Sequence, residues 1–366
     1  MTISNSSTAS KKVAILIENA VEDAEFQVPY NALKQAGFDV TVLGSRTNEK
    51  YKGKQGKLTK EADGTTTEAM ASEFDAVIVP GGMAPDRMRR NPNTVRFVQE
   101  AMQQGKIVAA VCHGPQLLIE GDLLKGKTAT GFIAIRKDMI NAGANYVDEP
   151  LVVDGNLITS RQPGDLAIFT TAILSRLGYG GKEAALPNET DNNAEWWKLA
   201  DAWGGSKKSE IVQALNTALA GERYSQEALE QYAQKESDAE VRSLFQQMMQ
   251  NKLQHIQKLE AYLAALNEKP SLSVNIADKY AKVKAAMHGS DDIYQIRSAL
   301  GDLQTGINDL STLMISTTDP VTTTLLRDIV QDLMQQEQSL VKLYRARVGN
   351  EVKAGKPTTG PAIAAQ

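Results

Sequence analysis

An uninterrupted apolar run, IVAAV at residues 107–111, passes directly into Cys112-His113-Gly114 and then into a helix-forming stretch that opens on Pro115. Five consecutive apolar residues suit a strand buried on both faces of a parallel sheet. Pro fits the first turn of a helix, where its missing N–H costs nothing. A buried strand that becomes a helix within three residues lifts one side chain above the carboxyl end of the sheet, and here that side chain is the cysteine. The neighbouring sequence supplies the sheet. VAILI (13–17) and FDAVIVPGG are further buried strands, residues 28–37 and 94–104 read as amphipathic helices, and FDVTVLG follows the first of them. KGKQGKLTKEADGTT predicts a hairpin or irregular loop, an Asp-Gly-Asn turn separates two strand-like runs near residue 155, and a helix over 166–177 closes the alternation. Strand and helix in this order predict a doubly wound α/β sheet with right-handed crossovers.

At 366 residues the chain exceeds one ordinary core, so two domains are expected. Residues 1–11 read as a polar, disordered tail and 12–180 as the α/β domain. Residues 181–207 read as a linker carrying Trp196, Trp197 and Trp203, an apolar load that suggests docking on a domain or a neighbouring subunit. Residues 208–348 are helical, with four stripes at alternating spacings of three and four: Ile211 to Tyr232, Val241 to Tyr262, Ile293 to Met314 and Leu326 to Leu343. Four stripes predict a four-helix bundle. A shift of 85 positions aligns Ile211 with Ile296, Gly221 with Gly306 and Arg242 with Arg327, so one helical hairpin is duplicated. Residues 349–366 are rich in Gly, Pro and Ala and read as a second disordered tail.

A net charge of −4 without a basic stripe argues against nucleic acid, and the polar first residues resemble neither a secretory signal nor a membrane span. A cytoplasmic protein is expected. One cysteine in the chain rules out an internal disulfide and a multi-cysteine metal site, leaving a buried spectator or a reactive thiol. The elbow favours the second reading. The following helix directs its unpaired N–H groups at the thiol and is expected to lower its pKa. The N–H of His113 and one from the Gly81-Gly82 turn are candidates for an oxyanion hole. Proton carriers are restricted to His113, the first domain's single histidine, and to the acids Glu22, Asp23 and Glu25, which follow the first strand. Capping of the next helix is the alternative role for Asp23 and Glu25.

IENAVEDAEFQVPYNALKQAG, FDAVIVPGGMAPDRMR, AVCHGPQLL and DMINAGANYVDEPLVVDGNLITSRQPGDL together resemble the PfpI branch of the ThiJ/PfpI superfamily over residues 11–180. The resemblance implies a flavodoxin-like domain with Cys112 as nucleophile and Glu22 as the carboxyl touching its sulfur. It also implies His113 paired with an acid of a neighbouring subunit, for which Asp86 is the matching position. Asp86 is one methylene shorter than the family's usual glutamate, Phe132 lacks the hydroxyl of the usual tyrosine, and Lys137 replaces an acid. Phe132 and Gly82 are expected to contact substrate. The implied activity is cofactor-independent glyoxalase or deglycase chemistry on a reactive aldehyde or a glycated protein, with PfpI-type cysteine peptidase as the alternative. A redox-sensing or scaffold role through Cys112 is the second alternative. The expected setting is a stress-response homo-oligomer. The helical half resembles the ferritin-like superfamily, in which each hairpin supplies a Glu and a Glu-x-x-His to a buried metal centre. Glu222 and His255 match, Lys252 and Ile307 replace acids, and Leu340 replaces a histidine. Glu222, His255 and Glu337 are the candidates for holding one ion, and the favoured reading is a metal-free bundle in which Glu222 and His255 satisfy each other.

Overall fold

The structure is a computed structural model that describes residues 11–179, 186–191, 194–271 and 292–348. Of the tails expected at 1–11 and 349–366, all but Lys11 lie outside the described residues, as does His288, which the sequence places in a surface loop. The chain divides into two compact units, Met1–Ser206 and Lys207–Gln366.

In the first unit, a seven-stranded sheet forms around β1 (Lys12–Leu16), β2 (Asp39–Gly44), β6 (Ala76–Val79) and β7 (Ile107–Val111), in the order β10-β11-β7-β6-β1-β2-β5. The short β5 (Gly64–Thr65) forms one edge, and β10 (Leu151–Asp154) pairs antiparallel with β11 (Leu157–Ser160) at the other. All other pairings are parallel. The chain steps one way from β1 to β2 through α1 (Asp23–Gln35) and the other way from β6 to β7 through α3 (Pro92–Gln103). Right-handed crossovers therefore put these helices on opposite faces. The strand order reverses between β1 and β6, and crevices at such reversals bind ligands in doubly wound sheets.

Two expectations change. The first helix begins at Asp23, five residues earlier than the apolar periodicity indicates, because its first turn carries buried acids in place of apolar residues. The segment expected as a linker contains α7 (Trp196–Ala202), which packs on α6 (Leu166–Arg176). Trp196 and Trp203 are buried in the α/β core, the Trp196 indole donates to the Asp191 carbonyl at 2.9 Å, and Asn31 Nδ2 donates to the Trp203 carbonyl at 3.0 Å. This cover explains why α6 is buried from Leu166 through Leu174 without an exposed face. Truncating either indole would cost about 3–5 kcal/mol.

The second unit holds α8 (Lys208–Lys235), α9 (Ala239–Ala265), α10 (Asp292–Ser316) and α11 (Pro320–Val348). The sequential pairs α8/α9 and α10/α11 form the two hairpins of the repeat. Ile211 and Ile296, related by the shift of 85, are both wholly buried, and Gly221 and Gly306 line one small cavity between α8 and α10. Among the described residues no helix is long and apolar enough to cross a membrane.

Candidate active site

Cys112 follows β7 directly and has φ 60°, a left-handed conformation that costs a non-glycine residue about 1–2 kcal/mol. The surrounding backbone holds it there. Cys112 N–H donates to the Ser160 carbonyl at 3.0 Å, the Cys112 carbonyl accepts from Phe132 N–H at 2.9 Å, and Gly114 N–H closes onto Val111 O at 2.7 Å. A Cβ on Gly114 would strike the Val79 carbonyl, so the turn after the cysteine requires glycine. Strand, elbow and α4 (Pro115–Glu120) follow in the expected order.

The carboxyl at the sulfur is Glu25, which corrects the assignment of Glu22 to that contact. Glu25 reaches in from the first turn of α1 beside the Cys112 thiol and accepts the Gly81 N–H at 2.7 Å through Oε2. A Cβ on Gly81 would lie 2.5 Å from that oxygen and 2.9 Å from Cys112 Cβ, so the absent side chain makes room for the pair to meet. The start of the helix explains the misassignment, because Glu22 stands at the N-cap, before the first helical turn, and its buried side chain meets Lys54 Nζ at 3.6 Å. Glu25 lies inside that first turn and reaches the Gly81 amide beside the sulfur. Nor does Glu25 cap α1, and neither does Asp23. The Asp23 carboxylate accepts the N–H groups of Gln55, Lys57 and Leu58 at 2.7–2.8 Å. It thereby orders the loop between β3 (Lys50–Lys52) and β4 (Thr59–Glu61), and a Cβ on Gly53 would collide with it. That loop carries Lys54.

Protonation follows from these contacts. Burial, then the nearby Glu22 charge, pushes Glu25 up to about 8, against a weaker opposing pull from its hydrogen bonds and Lys54. Burial, then Glu25 and Glu22, pushes the Cys112 thiol up, and the hydrogen bond from His113 N–H opposes this only in part. The expected lowering by the helix terminus is thus reversed: α4 has only six residues, and desolvation beside two carboxyls outweighs it. Thiol and carboxyl titrate as a pair that retains a proton at neutral pH. Burial, with a smaller contribution from Lys54, lowers His113, so its ring is neutral at pH 7 and its Nδ1 lies 3.4 Å from Sγ. Phe132 packs against that ring with centroids 4.9 Å apart.

The oxyanion donors are placed more narrowly than the sequence indicates. Gly81 N–H is already bonded to Glu25, and the Val21–Gly82 bridge is closed by Met83 N–H and Glu22 N–H, leaving the Gly82 amide outside that ladder. His113 N–H faces the sulfur in this resting arrangement. Asp86 lies on the exposed side of α2 (Ala84–Met88), 3.9 Å from Arg89, and is not brought to His113 within one chain. The sequence reading missed Lys54 altogether. The Gly-Lys-Gln-Gly turn was its only trace.

Residues 11–176 match the DJ-1/PfpI family, and residues 210–306 match a domain of unknown function, DUF2383. A crystal structure of a two-domain protein containing DJ-1/ThiJ/PfpI-like and ferritin-like domains, from Anabaena variabilis, superposes with a TM-score of 0.90. It is 72% identical, covering 96% of this chain and 100% of that one. This chain belongs to the DJ-1/PfpI family. Its α/β domain is 43% identical over 168 residues to a Bacillus subtilis protein named putative cysteine protease YraA, covering 46% of this chain and 99% of that protein. It is 44% identical over 155 residues to the Pyrococcus furiosus protein named deglycase PfpI, covering 42% of this chain and 92% of that one. Among DJ-1/PfpI proteins, this chain thus shares with the Anabaena structure a ferritin-like domain behind the α/β fold.

That ferritin-like bundle has a polar centre of its own. Glu222 accepts from Lys252 Nζ at 2.9 Å and pairs with His255 Nδ1 at 2.7 Å, so the expected Glu222–His255 contact is present with an ammonium added to it. His255 Nε2 lies 3.2 Å from Asp332 Oδ2. Glu337, expected as a third ligand, instead accepts from Gln304 at 3.1 Å, because it lies on a different face of α11 from Asp332. A metal centre of the kind the ferritin-like fold implies does not fit these residues. A buried lysine occupies the centre, and among the described residues no three His, Cys, Asp or Glu side chains are placed to hold an ion.

Proposed function

We propose that the chain is a cysteine-dependent enzyme acting on reactive 2-oxoaldehydes or their early adducts, with no cofactor. The observation carrying this reading is the Cys112–Glu25 pair: a strained, buried thiol beside a carboxyl that burial raises to about 8. A pair that exchanges its proton near neutrality suits a reaction in which one proton moves several times. Cys112 sulfur attacks the aldehyde carbon, a C–S bond forms, and the pair's proton passes to the carbonyl oxygen to give a hemithioacetal. The Gly82 amide supports the developing oxyanion. Neutral His113, or Glu25 in its ionised form, takes the proton from the former aldehyde carbon and returns it to the adjacent carbon, while the hydroxyl proton on the first carbon passes to the oxygen of the second. The product is a thioester of a 2-hydroxy acid. Water then cleaves the C–S bond, releasing a 2-hydroxy acid and the thiol, so methylglyoxal plus water gives lactate without an external oxidant.

The peptidase reading, for which a relative's name speaks, requires Asp86 of another copy to reach His113 and therefore an oligomer. Lactate formation from methylglyoxal, measured beside casein cleavage, separates the two readings. Turnover lost in Cys112→Ala and Glu25→Gln but retained in Asp86→Ala supports the aldehyde reaction. Cysteine-dependent casein cleavage that needs Asp86, without lactate, overturns it for the peptidase. Stoichiometric peroxide consumption without either turnover would leave redox sensing.

A further inference from the structure

Lys252 is 2% exposed, yet it carries an ammonium into the core of a helical bundle. Such a group persists only if its charge is matched where it sits. Two carboxylates, a lysine and a histidine ring share this site. Glu222 Oε1 takes the Lys252 ammonium and Glu222 Oε2 pairs with His255 Nδ1, while Asp332 lies 3.2 Å from His255 Nε2 and accepts the side-chain amides of Asn251 and Gln336. The ammonium thus sits on the same carboxylate that engages the ring. Glu222 responds accordingly, since burial alone would raise it but the Lys252 and His255 charges bring it below the ordinary carboxylate range.

A divalent metal ion needs a deprotonated imidazole nitrogen and carboxylate oxygens that are free to turn toward it. Here both Glu222 oxygens are already taken, by Lys252 and by His255 Nδ1, and the other ring nitrogen faces Asp332. Access is not the obstacle. A cavity of about 40 Å³ between α8 and α10, lined by Glu222, Thr217, Thr305 and the repeat-related Gly221 and Gly306, leads to Glu222 and has room for one small ion or water.

We propose that the Lys252 ammonium holds the cation position of this centre, closing the bundle to divalent metal. Glu222 and His255 Nδ1 are then a latent pair of ligands, with Asp332 on the far side of the ring at Nε2, and the site opens when the ammonium is replaced by a further ligand. Lys252→Glu does this with the least change, because it puts a carboxylate one helical turn before His255 and opposite Glu222.

The test uses the full chain and Co²⁺ alone, followed by equilibrium dialysis, visible absorption and thermal melting. The wild type is expected to take up no Co²⁺ that depends on His255. Lys252→Glu is expected to bind one Co²⁺ per chain about a hundredfold or more tighter than the wild type, with ligand-field bands and a raised melting temperature, all lost on adding His255→Ala. If Lys252→Glu is unfolded without metal, Co²⁺ is expected to restore its helical circular dichroism. A His255-dependent Co²⁺ site in the wild type overturns the proposal. So does a Lys252→Glu chain that binds no Co²⁺ when folded, or that Co²⁺ fails to refold when unfolded.

Discussion

Glu25 and Glu222 are the same side chain at nearly the same depth, 0% and 2% exposed, each at the polar heart of its own unit. Their protonation moves in opposite directions. Glu25 has as neighbours a thiol, a backbone amide and a second carboxyl, so desolvation prevails and it rises to about 8. Glu222 has an ammonium and an imidazole ring within 2.9 Å, which outweigh the same desolvation and bring it down. Burial therefore fixes the size of the problem, and the counter-charge fixes its sign. A carboxyl without a cation is left able to exchange its proton near neutrality. One held by an ammonium and a ring nitrogen is a structural joint.

The largest effect expected from breaking this contrast is on turnover. Glu25→Gln keeps the shape and the Gly81 bond but removes the exchangeable proton, so lactate formation should fall by about 10²–10⁴-fold. Glu22→Gln, at the N-cap, should cost roughly tenfold or less. Equal losses in the two variants would return the sulfur's partner to Glu22. Next is Lys252→Met, which leaves Glu222 buried with half its compensation and should destabilise the bundle by about 3–5 kcal/mol. Replacing Glu222, Lys252 and His255 together with apolar residues should recover much of that loss, because the triple variant leaves no buried charge among the three. Calorimetry that resolves the two units' transitions measures both.

The pH dependence of stability should also differ in sign between the units. Glu25 has a folded pKa of about 8 against an ordinary 4.5, so the folded state holds a proton that the unfolded state releases between those values. Its contribution is fully present below pH 4.5 and is lost as pH rises through 8, at most a few kcal/mol. Glu222 is lowered, so its contribution is present above pH 4.5 and lost as pH falls. Unfolding of the first unit between pH 5 and 9 should thus become easier with rising pH, and Glu25→Gln should flatten the trend. A first unit whose stability rises over that range, or a slope unchanged in Glu25→Gln, would break the comparison.

The unequal legibility of the two sites has a physical origin. IVAAV-CHG-P encodes a strand, a turn and a helix start in adjacent residues, so the elbow at Cys112 could be read from local rules alone. The duplicated stripes likewise announced the bundle, and Glu222 with His255 stood on core positions. Which acid meets the sulfur depends instead on where α1 begins, and Asp23 and Glu25 hid that start by filling its first turn with buried charge satisfied from elsewhere. Asp332 was hidden because repeat logic pointed to position 337, whereas the side chain that reaches His255 lies five residues earlier on α11. Lys252 was noticed only as a missing acid. A buried lysine is legible as a counter-ion once the two carboxylates around it are known. The docking of the tryptophans at 196 and 203 was legible from their apolar load, but the helix that carries Trp196 was not, because a short helix covering another helix has no pattern of its own.

The smallest expected effect concerns Lys54, a cation near the catalytic pair. Its ammonium pulls down Glu22, Glu25 and His113, but from a side chain 41% exposed and on a loop, so water screens most of the interaction. Lys54→Met should leave turnover at the optimum within about tenfold and raise the acid limb of the pH–rate profile by less than about one unit. The direction is the informative part. Removing a positive charge makes protonation of Glu22 and His113 easier, so the limb must move to higher pH and the shift must shrink in high salt. A limb that stays put would mean that Asp23 organises the loop for some purpose other than placing this charge. An optimum activity reduced a thousandfold would move Lys54 into the reaction itself and weaken the account in which Cys112 and Glu25 carry it.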